Sequence, residues 1–272
     1  MKLLFCGDVV GRSGRETIEK YVPPLKQEKN IDLIVVNGEN AASGFGITEE
    51  ICQFFFQHSV DIITTGNHVW DRKEILHFIQ TEPRLLRPHN YANPSVPGKG
   101  IAIHTLKSQK KVIIINLLGR LFMNDDSVNA FHAADALLKK YSLSHPEIAG
   151  IIVDFHAEAT SEKMAMGNYL DGRVSLVVGT HTHIPTADTR ILPKGTAYQT
   201  DAGMCGDYDS IIGMEKQGIF ERFLGKPNAP RMQAASAEGT LCAVLVEIDD
   251  QTGLAQNIER IILGPLNALS NA

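Results

Sequence analysis

Cysteine is sparse in this 272-residue chain and does not cluster: Cys6, Cys52, Cys205 and Cys242 lie far apart, and no Cys-x-x-Cys pair occurs. That argues against a disulfide-stapled scaffold or a zinc ribbon and fits a reducing compartment. Long apolar runs are missing too. The opening apolar stretch is closed by Asp8 too early for a signal peptide, and no later one reaches the ~18 residues of a membrane span. A cytoplasmic protein with no membrane partner is expected. Positive charge is not in excess either. A net charge of -5 and a pI of about 6.1 describe a surface that repels long polyanions. Bulk nucleic-acid binding is therefore not expected, although a local cationic site is compatible with the composition. Internal repeats, low-complexity tracts and a linker-like composition shift are also absent, and 43% hydrophobic content supports a sizeable core. Residues 1–272 read as a single domain.

What is present begins with short β-branched apolar runs at 3–6, 33–36, 62–65, 112–115, 151–153 and 176–178. Each reads as a buried strand. Helical patterns fall between them at 15–26, ending at a proline-containing stretch, and at 48–58, 72–80 and 129–141. This alternation predicts an α/β core whose ligand sites lie at the carboxyl ends of strands. Runs at 241–248 and 258–263, separated by a turn-like segment, predict an antiparallel pair and hence mixed sheets. Segments 93–100 and 225–230, rich in glycine and proline, are the loop candidates.

The chemistry collects just after the strands. The run before Gly7 leads into Asp8; Asn37-Gly38 leads into Glu39-Asn40; Gly66 leads into Asn67-His68. Later, Asp154-Phe155 leads into His156, and Gly179-Thr180 into His181-Thr182-His183. Taken singly, each has a structural reading. Asp8 and Asn67 resemble turn or helix-capping residues, His68 and His156 satisfied histidines, and His181 and His183 a pair on one face of an extended segment. Those readings would have to hold at five strand ends at once. Carboxylate, amide and imidazole donors without thiolate suit manganese, iron or zinc in a hydrolytic site, and Glu39 is the natural carboxylate to bridge two ions. The glycines before the donors allow sharp turns and close approach. Gly7 to Gly14 fits neither phosphate-loop spacing. Ser43, Ser161 and Cys205 lack an adjacent histidine and read as loop residues rather than nucleophiles.

These blocks resemble, in order and placement, the signature blocks of calcineurin-like metallophosphoesterases. Two departures narrow the resemblance: Asp8-Val9-Val10 lacks the histidine of the usual D-x-H start, and Glu39 stands where an aspartate is usual. With Asn40 after the bridge and the runs GENAASG, GNHVWD, DFHAEATSEK and GTHTHIPTADTRILPKGTAY, the chain resembles YmdB-type bacterial phosphodiesterases over nearly its whole length.

The resemblance implies a four-layer α/β/β/α sandwich and a pair of metal ions, iron first, with manganese or zinc as alternatives. It assigns Asp8, Glu39, Asn40 and His183 to one ion, and Glu39, Asn67, His156 and His181 to the other. It further implies hydrolysis of 2′,3′- and 3′,5′-cyclic nucleotides by a hydroxide shared between the ions, with His68 protonating the leaving oxygen.

Asp154, Glu158, Asp71 and Asp188 are candidates to orient the histidines. Ser43, Gly44, Thr160 and Ser161, with Arg12 and Lys194, are candidates for substrate contact; no base-recognition element stands out. Two alternatives carry forward. One is a phosphomonoesterase or protein phosphatase on the same metals. The other is a regulatory protein that binds a protein partner, such as RNA-processing machinery, with dispensable catalysis. A homo-oligomer is the common case for soluble enzymes.

Overall fold

The computed structural model describes residues 1–123 and 126–266; the remaining positions of the 1–272 span lie outside the described residues. In chain order the elements are β1 (Lys2–Val9), α1 (Gly11–Lys29), β2 (Leu33–Asn37), α2 (Glu49–Gln57), β3 (Ile62–Thr64), a 3-10 turn (Asn67–Trp70) and α3 (Ile75–Thr81). Next come β4 (Ile101–Thr105), β5 (Lys111–Leu118), α4 (Ala130–Leu138), β6 (Ile148–His156), α5 (Thr160–Leu170) and β7 (Leu176–Thr180). The chain continues through β8 (Arg190–Ile191), β9 (Ala197–Gln199), β10 (Met204–Cys205), α6 (Lys216–Phe223), β11 (Leu241–Ile248) and β12 (Ala255–Leu263).

Two mixed sheets result. The first has the order β12-β11-β1-β2-β3, with β10 added beside β1; the second has the order β4-β5-β6-β7-β9-β8. Alternate side chains of β1 show how they stack. Leu3 and Phe5 join a cluster with Val112, Ile114, Ile152 and Val178, so they pack between the sheets. Leu4 and Cys6 point the other way, into a cluster with Ile18, Val22 and Phe55 of α1 and α2. On the far side, Ile113, Ile151 and Val153 pack with Ala134 of α4 and Met166 and Leu170 of α5. The layers are therefore helix, sheet, sheet, helix. Because both faces of each central strand are covered, these strands read as continuous apolar runs instead of alternating ones.

One sequence expectation changes. Helix α1 does not stop at its prolines but runs through Pro23 and Pro24 to Lys29. Its buried face, which includes Ile18, Val22 and Leu25, packs on the first sheet, and this packing outweighs the local cost of proline. The helix ends where Asn30 turns left-handed at φ 54°. The antiparallel pair β11–β12 forms as predicted. No helix among the described residues is long and apolar enough to cross a membrane.

Candidate metal centre

Strands β1, β2 and β3 run parallel in the first sheet, and β5, β6 and β7 do so in the second. Their carboxyl ends meet, bringing donors from both sheets into one place. Asp8, Glu39 and His156 are completely buried there, and Asn40 and His183 nearly so.

His156 Nε2 is the focus. It lies 3.1 Å from Glu39 Oε1, 3.0 Å from Asn67 Oδ1 and 3.0 Å from His181 Nδ1. One imidazole nitrogen has a single proton or a single lone pair and cannot satisfy all three neighbours. A spacing of roughly 3 Å is instead close to the edge length of donors arranged octahedrally around a small ion at ~2.1 Å. Glu39, His156 and His181 present ligand atoms that all lie within 4.8 Å of one another.

A second group sits beside the first. Asn40 Nδ2 donates to Glu39 Oε1 at 3.1 Å and to His183 Nε2 at 3.0 Å, and His183 Nδ1 donates to the Ile212 carbonyl at 2.8 Å. That last bond leaves the lone pair of Nε2 facing inward. Asp8 Oδ2 accepts from the His181 amide at 3.1 Å, whereas Asp8 Oδ1 is buried with no hydrogen-bond partner. An orphaned buried carboxylate oxygen is costly unless a cation completes it. The residues present therefore fit metal ions.

The electrostatics agree. Burial drives the Asp8 carboxyl well above the usual carboxylate range. Burial also opposes ionisation of Glu39, but adjacent His156 more than reverses this and holds Glu39 down to about 2. Burial pulls His156 down as well, yet Glu39 and Asp8 hold it up at about 9. His181 is pushed down to about 3 by burial and by neighbouring His156. Without metal, the site holds one buried ion pair, Glu39 with protonated His156, beside an Asp8 carboxyl whose ionisation burial opposes.

Backbone geometry supports the crowding. A side chain at Gly66 would overlap the His156 ring and the Glu39 carboxylate, so only glycine fits there. His181 and His183 both have positive φ, at 97° and 66°, a conformation that surrounding contacts must impose on non-glycine residues. Those contacts were not legible in sequence. Asp201 accepts from the Thr182 amide at 3.1 Å and its hydroxyl at 2.7 Å, and from Lys163 Nζ at 2.7 Å in an ion pair with almost no solvent exposure.

Of the orienting candidates, Glu158 lies 3.1 Å from His181 Nε2, leaving Nδ1 as the inward nitrogen, and Asp71 lies 2.9 Å from His68 Nδ1. Asp154 acts through Thr180, which sequence reasoning missed: the Thr180 hydroxyl donates to Asp154 at 2.7 Å and lies 2.9 Å from His156 Nδ1. Burial raises Asp154 to about 6. Asp188 touches none of the donors; it accepts from Thr186 and Thr200.

His68 stands at the rim. Its amide donates to Glu39 Oε2 at 3.1 Å, and its ring meets Phe45 edge-on at 5.1 Å between centroids. With Nδ1 engaged by Asp71, Nε2 is the nitrogen left for a cavity of about 450 Å³ lined by Glu39, Gly44, Phe45, His68, His181 and others. Of the other substrate candidates, Ser43 and Arg12 line the neighbouring cleft. Thr160 and Ser161 begin α5, and the Lys194 amide is held by Asp171; none of these three lines the cavity.

A four-layer sandwich with this donor set at facing strand ends defines a metallophosphoesterase of the calcineurin-like class. More narrowly, the chain belongs to the YmdB-like protein family, whose family model matches residues 4–261. It is 50% identical over 266 residues to the 2′,3′-cyclic-nucleotide 2′-phosphodiesterase of Bacillus subtilis (strain 168), covering 97% of each chain. A solved structure titled a novel phosphatase, from Mycoplasma pneumoniae, superposes with a TM-score of 0.89 at 34% identity, covering 97% of this chain and 93% of that one. A hypothetical protein from Thermus thermophilus superposes at 0.88 with 38% identity, covering 97% and 99%.

Proposed function

We propose that this chain is a metal-dependent phosphodiesterase that opens 2′,3′-cyclic nucleotides at the 2′ oxygen, with 3′,5′-cyclic nucleotides as a second substrate class. The observation that carries the reading is His68: its backbone is tied to Glu39 and its ring to Asp71, which leaves Nε2 as the free ring nitrogen beside the donor cluster and supports a proton-donor role. The 50% identity to a Bacillus subtilis protein of that named activity supports the same substrate class.

In this reading Asp8, Glu39, Asn40 and His183 hold one metal ion, and Glu39, Asn67, His156 and His181 hold a second. Bound metal supplies Lewis-acid charge to the phosphoryl group and acidifies water. The chain's own residues do the rest. Thr180 and Glu158 fix which nitrogens of His156 and His181 face inward. Phe45 packs against the His68 ring and limits its rotation. Protonated His68 gives its Nε2 proton to the departing ribose oxygen, so that it leaves as a hydroxyl. Water adds at phosphorus, the P–O2′ bond breaks, and a 3′-phosphate remains.

The test is purified protein stripped of metal, reloaded with manganese or iron, and offered 2′,3′-cyclic AMP. Turnover is expected; its absence with both ions bound contradicts the reading. The likeness to a Mycoplasma pneumoniae protein described as a phosphatase favours one alternative, a phosphomonoesterase on the same site. Faster hydrolysis of an aryl phosphomonoester than of an aryl phosphodiester would select it.

A further inference from the structure

The site cavity does not end at Phe45. Phe45 and Met232 line both that cavity and an adjoining cleft of about 670 Å³. Arg12, Arg72, Arg222 and Arg231 line this cleft, and among the described residues no carboxylate does, although Arg12 and Arg72 also border a neighbouring cleft that holds Glu16, Glu19, Glu50 and Glu74. The arginines come from four places: the start of α1, the loop before α3, α6, and the segment after α6. In a chain of net charge -5, such a one-signed cleft is a local exception.

Arg72 and Arg222 are held by backbone carbonyls, and among the described residues no carboxylate pairs with either. Arg72 donates from Nε to the Phe45 carbonyl and from Nη2 to the Ala42 carbonyl, which fixes the loop carrying Phe45. Arg222 spends one nitrogen on the Pro230 carbonyl. The Arg12–Glu16 pair is exposed, with side chains 76% and 51% accessible, so the attraction is weak and screened. Arg231 has no ion-pair or hydrogen-bond partner among the described residues. Clustered guanidinium groups repel one another, and their forked donors match phosphate oxygens. Cationic grooves with an aromatic at hand are also how proteins follow single-stranded nucleic acid.

We propose that the cleft is a track for the phosphates of an oligoribonucleotide whose 3′ end, closed as a 2′,3′-cyclic phosphate, occupies the site cavity. The proposal rests on the phosphodiesterase reading above. A cyclic mononucleotide has a single phosphate, which the donor cluster takes, and would leave the positive charge of the cleft without an anion. A strand supplies the next phosphates on its 5′ side, with Phe45 at the junction. The chemistry is unchanged: water adds at phosphorus, the P–O2′ bond breaks, the proton goes to O2′, and the strand leaves with a 3′-phosphate.

Manganese-loaded protein is assayed on 2′,3′-cyclic AMP and on a tetraadenylate ending in a 2′,3′-cyclic phosphate. In parallel, fluorescence anisotropy measures binding of a labelled tetraadenylate 3′-phosphate to wild-type protein and to the R222Q/R231Q double variant. The tetramer is expected to have a kcat/KM on the order of tenfold or more above the mononucleotide, a difference that shrinks with added salt. In the double variant the ratio should fall toward one, with at least an order-of-magnitude loss of tetramer binding. Equal kcat/KM for the two substrates, or binding indifferent to the arginines, overturns the track. Arginine-dependent binding without turnover of either substrate keeps the track and removes the phosphodiesterase reading beneath it. Stronger binding of a tetradeoxyadenylate 3′-phosphate than of the ribose strand overturns the choice of RNA.

Discussion

His156 Nε2 lies 3.1 Å from Glu39 Oε1, although Glu39 follows β2 of the first sheet and His156 ends β6 of the second. Both side chains are fully buried. The interaction therefore crosses the seam between the sheets at the point where strand ends from each side converge, and the charge of the site is also a clasp between the two halves of the sandwich.

That pair sets a pH dependence for the metal-free protein. The His156 pKa is raised, so its stabilising contribution is complete below about 6.5 and is lost as pH rises through about 9. The Glu39 pKa is lowered, so its contribution is present above about 4.5 and is lost as pH falls through about 2. The pair contributes most between those limits. To bind metal, His156 must release its proton and Asp8 must ionise against burial, so the apparent affinity for manganese should rise by at least roughly tenfold per pH unit between pH 6 and 8. Isothermal titration at several pH values measures this; a flat profile would mean that His156 binds no metal.

Thr180 stands between His156 and Asp154, and valine preserves its shape without the hydroxyl. Thr180→Val should weaken metal affinity by about 10–100-fold while leaving the fold intact, because the strand tolerates another β-branched residue. Metal titration alongside circular dichroism separates the two effects. Unchanged affinity would show that the hydroxyl does not orient the imidazole.

Lys163 and Asp201 form an ion pair that is 1% and 0% exposed, and Asp201 also anchors Thr182 between the two histidines. Lys163→Met strands a buried carboxylate and should cost about 3–5 kcal/mol in chemical denaturation. The double variant K163M/D201N should recover part of that loss. A single variant as stable as wild type would contradict the role given to this pair.

His68→Ala leaves every proposed metal ligand in place. Its turnover should fall by about 10²–10⁴-fold with metal content unchanged. A parallel loss of metal would move His68 from proton donor to ligand support.

Much of this was visible in the chain because the central strands are covered on both faces, so β1, β2, β6 and β7 appear as unbroken apolar runs that stop at glycine and donor residues. The donors themselves were legible for the same reason. Helix α5 was not, since Thr160 and Ser161 at its start read as a polar loop and Gly167 weakens its helical signal, although that glycine is where the helix packs against the Tyr198 ring. Glu158 and Asp71 were named from sequence because they lie close to His156 and His68, whereas Thr180, Lys163 and Asp201 escaped notice because contact, not sequence proximity, makes them partners: Lys163 meets Asp201 from 38 residues away, and Thr180 meets Asp154 from 26. The arginine cleft draws on residues from 12 to 231 and has no local signature.

The two halves of the metal site are not equally supported. Glu39, Asn67, His156 and His181 crowd around one point, whereas the other group depends on Asn40 taking the place of a histidine beside Asp8 and His183. The most direct measurement is therefore formation of 3′-AMP from 2′,3′-cyclic AMP as manganese is titrated into metal-free protein. The account predicts that the rate climbs until two ions are bound per chain and then levels off. No 3′-AMP with two ions bound, or full activity at one ion per chain, would contradict it.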